Sequence, residues 1–185
     1  MKKIILLISI LLFNTVITVA SNDPSVKPRE ALSKLNGILG EWSITTYYYN
    51  PKEQAFQEQA KSTLTASSIL KGLGIREQRV SVDDGAALGI DVTYGYDQYR
   101  DLYRFVILDD GWGVVDFYEG NIIGDQLIAT NVGKNTDFPL ANGGKLEFRF
   151  NIELSGDERS VLIEMTADEG KTWSPLYRHD YERIK

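Results

Sequence analysis

KLEFRFNIELS, residues 145 to 155, sets Leu146, Phe148, Phe150, Ile152 and Leu154 against Glu147, Arg149, Asn151 and Glu153. Strand side chains point alternately to the two faces of a sheet, so an apolar residue at every second position requires one buried face and one wet face. In a helix the same residues would be scattered around the whole circumference. The pattern recurs along the chain. A first strand carries Trp42, Ile44, Thr46 and Tyr48 on one face, and a second sets Phe56, Ala60, Ser62, Leu64 and Ala66 against Gln57, Gln59, Lys61, Thr63 and Thr65. A third, around residues 74 to 82, sets Ile75, Glu77 and Arg79 against Arg76, Gln78 and Val80. Ile90, Val92, Tyr94 and Tyr96 mark a fourth, and Tyr103, Phe105 and Ile107 a fifth. GVVDFYE, DQLIATN, SVLIEMT and WSPLYRHDYERI complete a set of about ten with the segment quoted first.

Short turns rich in Gly, Asn and Asp (DDG, EGN, NGG, SGDE) join these strands and leave no room for long crossovers. An up-and-down antiparallel meander follows, and closing it into a barrel removes the edges that an open sheet of this size would expose. The fold class expected is all-β: a single antiparallel up-and-down barrel of about ten strands. The strands are preceded by a short N-terminal helix around REALSKLNGILG, which Gly37 and Gly40 stop. No internal repeat or second domain is visible.

Ahead of the helix, Lys2 and Lys3 precede an apolar run from Ile4 to Phe13, and Thr18-Val19-Ala20 offers a small-residue cleavage site. These are the parts of a secretory signal peptide over residues 1–20, and the run is too short to span a bilayer. Ser21 to Pro28 reads as a flexible leader, and residues 29–185 as the barrel domain. Export to the periplasm or the medium is expected. With no Cys in the chain, neither a lipid anchor of the lipoprotein type nor a disulfide is available, so the fold rests on its core. The formal net charge of −6 becomes more negative once the two signal lysines are removed, which argues against nucleic acid and anionic membrane surfaces as partners.

TADEGKTW, residues 166 to 173, matches the Asp-box of sialidase-type propellers. It occurs once, whereas a propeller repeats it blade after blade, and the chain is too short for such an array. The expected reading is a hairpin turn shaped by Asp168 and Gly170, with Trp173 packing over the corner. The acidic doublets Asp83-Asp84 and Asp109-Asp110 precede Gly and read as turns, and neither has the spacing of a calcium loop. No Ser-His-Asp pattern, P-loop or dinucleotide fingerprint is present, so a binding protein is expected before an enzyme.

Several segments together resemble a bacterial family of unknown function counted among the lipocalin-like, calycin-related β-barrels. They are LxxLxGxxGxW at Leu32 to Trp42, the Leu-x-Gly around Leu70 to Gly74, and YGYDQYRDLYRFVILDDGWG at 94–113. EGNIIGDQL at 119–127 and the terminal DEGKTW…YxRI complete the set. The resemblance implies a barrel with an internal cavity and lends no reaction.

If strands alternate in and out, small residues on the second strand (Ala60, Ser62, Ala66, Ser68) leave space inside. Trp42, Tyr48, Tyr94, Tyr96, Tyr103 and Phe105 are then candidates to line it. Glu77 and Arg79 share the inner face of the third strand, where they can form an interior ion pair or grip a polar ligand head. On the last strand Trp173, Pro175, Tyr177, His179 and Tyr181 share one face, so the single His of the chain points inward with the aromatics. His179 is expected to be an interior residue satisfied by a hydroxyl or carbonyl. The chain is also distantly similar to the nitrobindin group, barrels that hold haem through a His on the closing strand, and that similarity implies His179 as an axial ligand. The residues after it, Asp180-Tyr181, depart from the apolar residue usual there. The expected function is thus an exported, non-catalytic barrel binding a small hydrophobic or amphipathic molecule without a cofactor. The alternatives are a haem protein using His179 and a filled barrel that acts as a structural or interaction module.

Overall fold

A computed structural model describes residues 23–81, 89–154 and 156–185, except for the side chains at 80 and 81. The signal segment, the first two leader residues and the Asp83-Asp84 turn lie outside the described residues. The described chain opens with one helix, α1 (Val26–Ser33), and a single 3-10 turn at Asn36–Ile38. Strands β1 (Gly40–Asn50), β2 (Ala55–Ile69), β3 (Gly74–Ser81), β4 (Ile90–Asp97) and β5 (Leu102–Asp109) follow. The rest are β6 (Val115–Ile123), β7 (Gln126–Thr130), β8 (Phe138–Pro139), β9 (Lys145–Glu153), β10 (Glu158–Thr166) and β11 (Ser174–Arg183).

Each strand from β1 to β7 pairs antiparallel with the next; β7 then pairs with β9, β9 with β10, β10 with β11, and β11 with β1. Ten strands therefore close a barrel, as the alternation and the short turns predict. The two-residue β8 lies outside the ring, paired only with β9 at Leu146 and Lys145. Two bulges interrupt the alternation, one at Thr46/Tyr47 against β2 and one at Ile163/Glu164 against β11. A bulge shifts the in/out phase beyond it by one residue. As a result Leu176 joins Tyr177 on the cavity side, and Trp173 stands outside the strand.

The N-terminal segment plugs one end of the barrel. Ala31 and Leu32 of α1, with Leu35 and Ile38 after it, are buried against Trp42, Ile75, Tyr103 and Leu127. The Trp42 indole N–H donates to the Ile38 carbonyl (2.9 Å), and the Tyr103 hydroxyl donates to Ala31 O (2.8 Å). Arg183 at the end of β11 donates to the Leu39 and Gly37 carbonyls and lies 4.2 Å over the Trp42 ring. These bonds satisfy carbonyls that the end of a short helical segment leaves open. The helix begins at Val26 and buries Pro28, so the last residues of the expected flexible leader belong to its first turn.

One residue of the wet face of β9 is not wet. Glu147 is 2% exposed because the chain after β7 folds back over it, and its Oε1 accepts from the Gly133 N–H (3.0 Å) and from Lys145 (3.2 Å).

Glycine is required at Gly120, which stands opposite Ala129 in the β6–β7 pairing. A Cβ at this position would lie 1.9 Å from the Ile128 carbonyl oxygen and 2.5 Å from Ala129 Cα, both backbone atoms that cannot swing aside. Gly120→Ala is expected to destabilise the fold by about 1–3 kcal/mol through forced strand separation. The check is a thermal melt, and an unchanged Tm would show that the two strands can part without penalty.

Candidate functional site

Above the plug lies a cavity of about 390 Å³; β2 contributes Leu64 to its lining, and the small residues Ala60, Ser62, Ala66 and Ser68 expected to open it do not line it. Val92, Ile107, Phe148, Phe150, Ile152 and Ile163 build most of its wall from β4, β5, β9 and β10. It opens at the end of the barrel opposite α1, between the β5–β6 turn and β8. There Trp112, 72% exposed, meets Phe138 edge to face at 6.0 Å, and both rings border the cavity. The volume and apolar lining lie within the range that small-molecule sites occupy.

A buried ion pair forms the floor. Glu77 on β3 accepts from the Arg159 guanidinium of β10 at 3.0 Å through Oε1, and from the Tyr94 hydroxyl at 2.8 Å through Oε2. The two charged side chains are 5% and 1% exposed. Arg159 lies between rings, 4.0 Å from the Tyr181 centroid and 4.9 Å from that of Trp42. Burial and the adjacent Glu77 carboxylate push the Tyr94 phenol well above its ordinary pKa, so it stays protonated and donates.

The cavity wall contributed by β11 is different. Tyr177, His179 and Tyr181 descend it at alternate positions, with ring centroids 6.3 and 6.4 Å apart. His179 Nδ1 and the Thr46 hydroxyl share a hydrogen bond of 2.9 Å, which leaves Nε2 on the cavity side. Which nitrogen carries the proton depends on the direction of that bond: if Nδ1–H donates to Thr46, Nε2 presents a lone pair; otherwise it presents N–H. Burial, and next the positive charge of Arg79, depress the His179 pKa to about 3, so the ring is neutral across the physiological range. Burial likewise raises the Tyr181 phenol.

Of the residues singled out from the sequence, Glu77, Arg79, Tyr94, Phe105, Tyr177, His179 and Tyr181 are brought together around this cavity. Glu77 takes Arg159 as its ion-pair partner, while Arg79 lies close enough to Glu77 and Asp110 to feel both charges. The other five lie elsewhere. Trp42 and Tyr103 are beneath the floor in the plug. Tyr96 is at that same end, edge to face with Tyr103 at 5.1 Å and hydrogen-bonded to Asp101. Tyr48 stands at the rim, 39% exposed and edge to face with Tyr177 at 5.6 Å. Ser62 is buried in the β2 wall, and its hydroxyl has no partner among the described residues.

Sequence reasoning missed Arg159, which shares the period-two face of Val161, Ile163 and Met165 but follows directly on a polar turn. It also missed Asp116. This buried carboxylate accepts from the Phe117 N–H (2.9 Å), from Asn131 Nδ2 (3.1 Å) and from the Tyr118 hydroxyl, and so ties the segment after β7 to β6.

The Asp-box stretch is a turn. Asp168 accepts from the Thr172 N–H (2.9 Å) and from the Thr166 and Thr172 hydroxyls (both 2.7 Å), which hold its carboxyl down at about 2. Gly170 has φ +82°, and the Trp173 ring that packs over it also lies 4.4 Å from the Arg149 guanidinium. Among the described residues no group of three or more His, Asp or Glu side chains is placed to hold a metal ion.

Neither a protein-family model nor a curated protein sequence matches the chain. Among solved structures, the barrel is similar to the crystal structure of Rv2717c from M. tuberculosis, with a TM-score of 0.57. The match covers 84% of this chain and 98% of that one, at 17% identity. At that identity the likeness establishes the fold, a closed antiparallel barrel, and nothing finer.

Proposed function

We propose that the protein is exported and binds one small, largely apolar molecule inside its barrel without transforming it. The observation that carries this reading is the cavity of about 390 Å³, walled mostly by aliphatic and aromatic side chains. Burying an apolar molecule there gains about 25 cal/mol for each Å² of surface removed from water. The signal-like N-terminal sequence supports the export half of this reading. An imidazole that stays neutral down to about pH 3 is a weak base, which favours binding over proton transfer at His179.

N-phenyl-1-naphthylamine, an uncharged dye that fluoresces in apolar surroundings, is expected to bind saturably at one site per chain, and native mass spectrometry is expected to show the matching mass. Absence of uptake by both methods would leave the filled-barrel reading in its place.

A second reading is favoured by one atom. His179 Nε2 faces the cavity from a neutral ring whose other nitrogen is held by Thr46, and the donor set fits single-sided haem ligation by His179. Bound haem would supply redox and diatomic-gas chemistry. Of this chain's own residues, Thr46 would orient the imidazole, and the aromatic wall would exclude water. Haem titration of the purified protein decides: no Soret band, or an unchanged band in His179→Ala, removes this reading.

A further inference from the structure

The charged groups around the cavity are already engaged by the protein, and this restricts what the cavity can accept. Glu77 is paired with Arg159 and Tyr94. Asp116 is hydrogen-bonded by Phe117, Tyr118 and Asn131. Asp109 Oδ1 accepts from the Gly111 and Trp112 N–H groups at 3.1 and 2.6 Å. Arg79 lies under the fields of Glu77 and Asp110. A ligand charge entering this space would be desolvated without a dedicated counter-charge, the costliest arrangement in an apolar interior. Besides the outer oxygen of Asp109 at the mouth, the cavity-lining polar atoms with no hydrogen-bond partner among the described residues include three neutral ones, the Tyr177 and Tyr181 hydroxyls and His179 Nε2. These three come from one strand, at steps of about 6.4 Å between rings, with Phe105 on β5 across the barrel and Phe148 and Phe150 on β9 two strands away along the wall.

We infer that the ligand is an uncharged, compact ring compound with one polar edge, a carbonyl or hydroxyl that hydrogen-bonds to Tyr181 and His179 while its apolar face packs on the phenylalanines. This rests on the proposal that the cavity binds an apolar molecule. It adds the ligand's charge state, its polar group and its orientation, with the polar edge on β11.

The test is displacement of N-phenyl-1-naphthylamine by four naphthalenes that differ in one substituent: 2-acetylnaphthalene, 2-ethylnaphthalene, 2-naphthoate and 2-naphthylmethylammonium. The uncharged ketone is expected to displace best, about tenfold more tightly than the ethyl compound for one buried hydrogen bond, with both ions weaker than the hydrocarbon. Tyr181→Phe, which keeps the ring against Arg159, is expected to shrink the ketone's advantage over 2-ethylnaphthalene. Tyr177→Phe provides a second reading of the same strand in a less buried position. Equal affinity for ketone and hydrocarbon, or an ion binding as tightly as the ketone, overturns the inference while cavity binding stands. If the dye itself does not bind, the underlying reading falls, and this one with it.

Discussion

Replacing Glu77 by Leu is expected to destabilise the protein by about 3–5 kcal/mol, although the new side chain suits an apolar cavity floor. The loss comes from what is left behind. Arg159 is 1% exposed in its side chain, and without Glu77 its charge is left, among the described residues, with the faces of Trp42 and Tyr181. Cation–π contacts contribute about 1–2 kcal/mol, far less than the desolvation of a guanidinium. The Tyr94 hydroxyl loses its acceptor at the same time. Arg159→Met is expected to cost a similar amount for the mirror-image reason, by stranding the Glu77 carboxylate. The double variant Glu77→Leu/Arg159→Met removes both charges and is expected to be more stable than either single variant. Urea denaturation of the four proteins measures the coupling: if the two single losses simply add in the double variant, the pair does not act as a unit. The same series bears on the site, because Glu77 is where the plug ends and the cavity begins.

The legibility of this molecule follows the range of its interactions. Alternation and turns are local, and they predict the ten ring strands because each strand of a barrel is half wet and half dry along its whole length. The inward set of β11, with Tyr177, His179 and Tyr181 on one face, was readable for the same reason. Arg159 was hidden because its partner is 82 residues away in sequence and across the barrel in space, and an Arg after a polar turn resembles surface. Leu176 entered the cavity through a bulge, a register irregularity that no alternation pattern records. Glu147 obeys the wet face of β9 in sequence, yet it lies under a loop whose path depends on the Asn131–Asp116 bond. The candidate site was therefore legible in its inward-facing aromatics and His179. Its ion pair and its floor, set by contacts across the barrel, were not.

The contribution of His179 to stability should be lost in acid, well before the carboxylates explain it. In the unfolded chain its pKa has the ordinary value of 6.5, whereas in the folded barrel burial and Arg79 hold it at about 3. Between those values the unfolded state binds a proton that the folded state refuses, so stability falls as pH falls and the loss stops near pH 3. Each pH unit inside the window costs about 1.4 kcal/mol, so going from pH 7 to pH 4 removes about 3 kcal/mol through this one ring. His179→Gln carries no titrating group and can still hydrogen-bond to Thr46, whose hydroxyl lies 2.9 Å from Nδ1 in the parent. The variant is expected to be the less stable protein at neutral pH and to lose about 3 kcal/mol less than the parent on acidification. Carboxylates such as Asp168, itself held at about 2, titrate in both proteins and cancel in the comparison. Urea midpoints for the two proteins at pH 7 and pH 4 provide the measurement. Parallel losses would mean that the imidazole takes up its proton inside the barrel and that the cavity is far wetter than its lining implies.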